Sequence, residues 1–208
     1  MKRISISIGV ILSLVLAACA PQQPAGTSPA PTAAPTAAAL PTGEQPKSGG
    51  TLVYIVTAEP PTFDAHQSNT FASLQPIAPH YSLLYRLDPA DNVSKIVPDV
   101  AAGDPQISAD KLTWTIKLRT DVKFHDGTAL TSEDVRATYQ QIISPPQGVN
   151  SIRKAVYAAV ESVSAPDPRT VVFKLKNTSG SFISSLLSPY NFIYKADILA
   201  KDPRWYEK

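Results

Sequence analysis

The chain is poor in the groups on which most protein chemistry depends. One cysteine among 208 residues can neither close an internal disulfide nor supply a cysteine-based zinc site. The three histidines, His66, His80 and His125, stand apart, with no HExxH and no i,i+4 pair, so no metal site is expected. There is no Gly-x-Ser-x-Gly elbow, phosphate loop or dinucleotide fingerprint, so neither a catalytic residue nor a cofactor is expected. Charge of one sign is also missing: 19 Lys+Arg against 17 Asp+Glu give a formal +2, which offers nothing to a nucleic-acid polyanion. The carboxylates are scattered. Glu133-Asp134 fits the acidic start of a helix better than acid–base work, and His125-Asp126, adjacent in a turn, are poorly placed to act as a dyad.

Proline is abundant, and seven of the 20 prolines fall between residues 20 and 48. Residues 1–18 have the layout of a secretory signal peptide: Lys2 and Arg3, then an apolar run from Ile4 to Leu16 too short for a comfortable membrane span, then small residues. Leu16-Ala17-Ala18-Cys19 resembles the lipobox of bacterial lipoproteins, which implies diacylglycerol on Cys19 and a mature chain that starts there. An ordinary cut elsewhere, or an uncleaved anchor, is the alternative. Residues 19–48 read as a lipid-anchored cysteine followed by a disordered Pro/Ala/Thr-rich spacer, because such a composition cannot bury enough surface to offset its ordering entropy. About 160 residues remain for folding, enough for one compact domain or two small ones.

Thr51–Val56 is a nearly continuous apolar run between Gly49-Gly50 and Pro60-Pro61, which predicts a buried strand. His80–Leu87 predicts a helix end or strand, stopped by the turn-forming cluster Asp88–Asn92. Leu112, Trp114, Ile116 and Leu118 alternate with polar residues, so this strand has one apolar and one wet face. Val122 and Phe124 keep that parity up to a tight turn at Asp126-Gly127. Thr131 and Asp134 have capping-box spacing, and Val135, Tyr139, Ile142 and Ile143 follow at helical spacing until Pro145-Pro146. Two strands, Val160–Ser164 and Thr170–Lys176, flank a turn at Ala165–Pro168. Phe182, Ile183, Leu186 and Leu187 form a helical stripe, and Tyr190–Tyr194 is another strand candidate. Strands and helices without strict βα alternation predict an α+β fold. The closing Asp202–Lys208 looks like the start of an element with nothing behind it, which suggests a fragment.

Several segments together resemble the large solute-binding proteins of bacterial ABC importers that take up oligopeptides, dipeptides or nickel (family 5). They are Gly49–Val53 leading to Pro61–Asp64, Leu84–Asp88, Pro98–Ala101, Leu112–Arg119, Val122–Val135 and Val171–Leu175. The resemblance covers residues 49–208 in order. It implies part of a type II periplasmic-binding-protein fold of cluster C: residues 49–75 as the start of the first lobe, 76–188 as the extra domain, 189–208 as the return to the first lobe, and the second lobe missing. It further implies a non-enzymatic, monomeric lipoprotein on the extracytoplasmic face of a bacterial membrane. Such a protein captures a small solute, peptide foremost, and delivers it to a permease–ATPase complex. A non-transport exported lipoprotein (chaperone, adhesin or receptor) and a truncated remnant are the alternatives. By position rather than residue identity, Asn69, Thr70 and Phe71 correspond to a loop lining the peptide cleft of relatives. Backbone groups there would pair with an extended peptide while the aromatic packs a side chain.

Overall fold

A computed structural model describes residues 48–92 and 94–207. The signal-peptide reading, the lipid-attachment reading of Cys19 and nearly all of the linker lie outside these residues. Among them, no helix is long and apolar enough to cross a membrane.

The centre of the fold is a four-stranded antiparallel sheet. Its strands are β3 (Gln106–Ile107), β4 (Thr113–Lys117), β5 (Val160–Asp167) and β6 (Thr170–Leu175), in spatial order β3-β4-β6-β5. β1 (Tyr85–Leu87) and β2 (Ile96–Pro98) form a separate antiparallel pair across the predicted turn. The alternation in β4 sets the register. Trp114 lies opposite Phe173 and Ile116 opposite Val171, so the large apolar side chains of both strands share the inner face.

α2 (Ser132–Ile143) covers that face. It starts as the capping pattern predicts: Asp134 Oδ2 accepts from the Thr131 backbone N–H and from its hydroxyl, both at 2.8 Å. It ends at Ser144, ahead of Pro145-Pro146. Val135, Tyr139 and Ile142 are fully buried against the sheet, and Tyr139 meets Phe173 edge-on at 4.9 Å between ring centroids. The hairpin at Asp126-Gly127 also forms, with Gly127 at φ +83°.

Three expectations need correction. β5 does not turn at Ala165 but runs on to Asp167, with irregular pairing between Ser164 and Asp167. It is an edge strand, so Pro166 interrupts no ladder between two neighbours. Thr51–Val56 forms no strand: Leu52, Val53 and Ile55 are 85%, 86% and 96% exposed, and no described strand lends its edge to the segment. A run that is apolar on both faces needs cover on both, and the described residues supply neither. Tyr190–Tyr194 is extended but joins no ladder, even though Asn191–Tyr194 are all buried.

Ile193 of that segment packs in the sheet core, while Phe192 and Tyr194 belong to a second, smaller core. Ala65, Leu74, Ile77 and Leu83 pack there with Phe192, Tyr194 and Leu199. The short α3 (Phe182–Ser185) buries Phe182 in the sheet core, whereas α1 (Phe71–Ile77) and α4 (Ala196–Lys201) contribute to the smaller one. The second face of α2 forms its wall. Thr138 Oγ1 accepts from the Tyr194 N–H at 2.9 Å and donates to its carbonyl at 3.3 Å. Asp134 Oδ1 accepts from Ala196 N at 2.9 Å, and Gln141 Nε2 donates to the Pro203 carbonyl at 3.1 Å. Side chains of one helix thus satisfy backbone groups that would otherwise need a neighbouring strand.

Candidate functional site

The loop before α1 is organised by one buried carboxylate. Asp64 Oδ1 accepts from the His66 backbone N–H at 2.9 Å and from the Tyr194 hydroxyl at 3.1 Å, while Oδ2 accepts from Gln67 Nε2 at 2.8 Å. The Tyr194 hydroxyl in turn accepts from Ala65 N at 3.0 Å. Burial raises the Tyr194 hydroxyl's pKa well above its usual value, so it stays protonated and can donate to Asp64.

His66 is fully buried and stacks on Tyr194 at 4.1 Å, and Tyr194 stacks on Tyr206 at 3.7 Å. A carbonyl can only accept, so the 2.9 Å contact between His66 Nε2 and the Phe192 oxygen places the proton on Nε2. Nδ1 has no hydrogen-bond partner among the described residues. Burial lowers the His66 pKa, against the opposing pull of Asp64, and keeps the ring neutral at neutral pH.

On this platform the three residues expected to line a cleft take different parts. Thr70 caps α1, its hydroxyl accepting from Ser73 N at 3.3 Å. Asn69 is exposed, and its carbonyl accepts from the Tyr190 hydroxyl at 3.3 Å. Phe71 opens the helix with its ring 71% exposed.

The platform also gathers residues that the sequence did not single out. Gln67 Oε1 accepts from Asn150 N at 3.0 Å, and the His66 carbonyl accepts from Ile152 N at 3.2 Å, so the 150–153 corner hangs from the loop. Arg153 lies over the Tyr190 ring, 5.2 Å from its centroid, and donates from Nη2 to Ser188 Oγ. Asn69, Phe71, Arg153 and Tyr190 thus come from three stretches of chain, held together through Asp64, His66 and Gln67. Their spacing carries no motif. The only sequence signal was the position of the loop.

His80 and His125 lie elsewhere, on a cavity of about 240 Å³ also lined by Tyr81, Phe124, Lys195 and Tyr206. His125 makes no dyad with Asp126, whose carboxylate takes Lys195 Nζ at 2.5 Å and Thr128 Oγ1 at 2.6 Å. Those bonds, the lysine's foremost, hold the Asp126 pKa well below the usual carboxylate range. Among the described residues no three His, Cys, Asp or Glu side chains come together as a metal site would require.

Residues 95–208 match the model of the bacterial extracellular solute-binding proteins, family 5 (middle part). The oligopeptide-binding protein AppA of Bacillus subtilis is 29% identical over 182 residues, which are 88% of this chain and 31% of AppA. A putative ABC transporter peptide-binding protein of Brucella ovis is 40% identical over 96 residues, 46% of this chain and 18% of that protein. Among solved structures, the PBP AgaA of A. tumefaciens R10 in complex with agropinic acid superposes with a TM-score of 0.64 at 28% identity, over 72% of this chain and 29% of that one. AppA in complex with a nonapeptide gives 0.62 at 28% identity, over 71% and 28%. The chain therefore spans a third or less of the length of these relatives, and its α+β fold is part of a type II periplasmic-binding-protein fold.

Proposed function

Because the chain belongs to the bacterial extracellular solute-binding proteins of family 5, we propose that it captures a small solute, a peptide, outside the cytoplasm. In this reading it binds without catalysing, and it hands the solute to an ABC permease with its ATPase subunits. Residues 49–75 and 189–208 contribute to a first lobe, residues 76–188 form an extra domain beside it, and the Asn69–Phe71 face forms one side of the cleft. Cys19 carries the lipid that keeps the protein at the extracytoplasmic face of the membrane, with residues 20–48 as tether. Two acyl chains at roughly 0.8 kcal/mol per buried methylene are enough for stable attachment without a membrane-spanning helix.

The observation that carries the cleft reading is Phe71. It is 71% exposed, yet it opens a helix whose preceding loop is fixed by a buried carboxylate and a buried histidine. An aromatic residue carried on a fixed backbone loses little further backbone entropy when a ligand side chain packs on it, and the neighbouring Asn69 backbone can pair with an extended peptide. The relatives named as oligopeptide- and peptide-binding proteins favour a peptide over other solutes.

Calorimetric titration with Ala-Phe-Ala tests this reading. Saturable heat is expected from the unaltered chain, with affinity at least about tenfold weaker in Phe71→Ala. Equal affinity in the two would remove Phe71 from the cleft. Mass spectrometry of the mature N-terminus tests the anchor: a diacylglyceryl mass on Cys19 is expected, and an unmodified Cys19 or a cut elsewhere refutes it.

A further inference from the structure

We infer that Arg153 recognises a carboxylate on the captured solute. This rests on the cleft reading above and adds to it the chemistry of what the cleft selects.

Of the six arginines among the described residues, four are matched by their surroundings, and Arg86 is exposed to water. Arg119, Arg136 and Arg204 each hold a carboxylate through two nitrogens, from Asp121, Glu133 and Glu207 respectively. Arg169 spreads its guanidinium over the carbonyls of Arg119, Thr120 and Leu130. Arg153 has neither arrangement. Its side chain is half-buried, Nη2 reaches the Ser188 hydroxyl, and the face of the group lies on Tyr190. Nε is buried without a partner, and no carboxylate among the described residues pairs with it.

A guanidinium stays charged at any relevant pH, so it cannot relieve partial desolvation by losing a proton. A hydroxyl and an aromatic face compensate it only in part. The missing complement is an anion: Nε is shielded from solvent and Nη2 holds Ser188, so a carboxylate would meet the group at its Nη1 edge. The place is set by Tyr190, whose ring carries Arg153 while its hydroxyl donates to the Asn69 carbonyl. The unmatched cation therefore stands beside the loop that presents Phe71. The carboxylate can come from an acidic side chain or from a free peptide C-terminus.

Three tripeptides separate these sources: Ala-Glu-Ala amide, Ala-Gln-Ala amide and Ala-Gln-Ala free acid. They are titrated into the full chain, followed by amide and arginine Nε–H resonances in ¹⁵N spectra. At least one carboxylate-bearing peptide is expected to bind about tenfold or more tightly than the neutral one and to shift the Arg153 Nε–H signal. The Glu peptide leading identifies a side-chain carboxylate, and the free acid leading identifies the terminus. Arg153→Gln is expected to erase the difference between the three, and Arg153→Lys to restore part of it. Equal affinities in the unaltered chain, or an acidic preference that survives in folded Arg153→Gln, overturn the inference but leave the cleft reading in place. Absence of binding by all three overturns both.

Discussion

The two cores of this molecule are held together by different physics. The sheet and the inner face of α2 form an apolar interior in which Ile116, Val171, Phe173, Val135 and Tyr139 are fully buried. It is stabilised by area removed from water. The smaller core around Tyr194 contains fully buried Asp64, His66 and Thr138 among its aromatic rings. Its segments are joined by long-range bonds, such as the one across 130 positions of sequence between Tyr194 and Asp64. Apolar burial tolerates small shifts, whereas a buried polar seam demands every partner. The first core supplies bulk stability. The second fixes the geometry of the loop that carries Phe71.

The sharpest way to break this comparison is to damage each core in turn. Phe173→Ala should cost about 3–5 kcal/mol by denaturant titration and loosen the whole chain, because it opens a cavity where β6, Tyr139 and Phe182 meet. Asp64→Ala strands the donors of His66, Gln67 and Tyr194 and should cost about 2–3 kcal/mol. Its loss of hydrogen-exchange protection should be confined to residues 64–71 and 190–194. Equal loss in β4 and β6 would mean that the seam is not a separate unit. Thr138→Val keeps the shape of α2 but removes both bonds to Tyr194, and about 1–2 kcal/mol is expected.

Mild acid should act on the seam through His66, before it reaches carboxylates such as Asp126, whose contribution declines only below its unfolded pKa. The folded His66 pKa lies below its unfolded value near 6.5, so the unfolded chain takes up the proton first as the pH falls. The His66 contribution is therefore complete above about pH 6.5 and declines by up to about 1.4 kcal/mol per pH unit until the folded pKa is reached. His66→Phe should flatten this slope in denaturant titrations run across pH. A slope unchanged by the substitution would contradict the assignment. Tyr190→Phe should have the smallest effect on stability, under about 0.5 kcal/mol, while speeding amide exchange around Asn69.

The first core was legible because its signals are periodic. Alternation gave the face of β4, and the spacing of Thr131, Asp134, Val135 and Tyr139 gave α2 with its start. The second core was not, for a physical reason. Asp134, Thr138 and Gln141 form a polar stripe at i, i+4 and i+7, a pattern that ordinarily faces water. Here that stripe is buried, and it satisfies the backbone of Tyr194, Ala196 and Pro203. The same substitution of side chains for a ladder explains why Tyr190–Tyr194 reads as a strand and is not one. Thr51–Val56 fails for the converse reason, since its apolar pattern is right but no strand among the described residues pairs with it. At the candidate site, position alone led to Asn69, Thr70 and Phe71. Arg153 and Tyr190 could not be found from spacing, because contacts across 121 positions bring Tyr190 to Asn69.

Hydrogen exchange of the full chain with and without Ala-Phe-Ala decides whether the Phe71 face lines the cleft. Bound peptide is expected to slow exchange at residues 69–71 and 150–153 and beside Tyr190, and to leave β3, β4 and the 122–126 hairpin unchanged. Protection that appears instead around His125 and Lys195 would move the site to the cavity there, and would contradict the assignment of the Phe71 face as the side of the cleft.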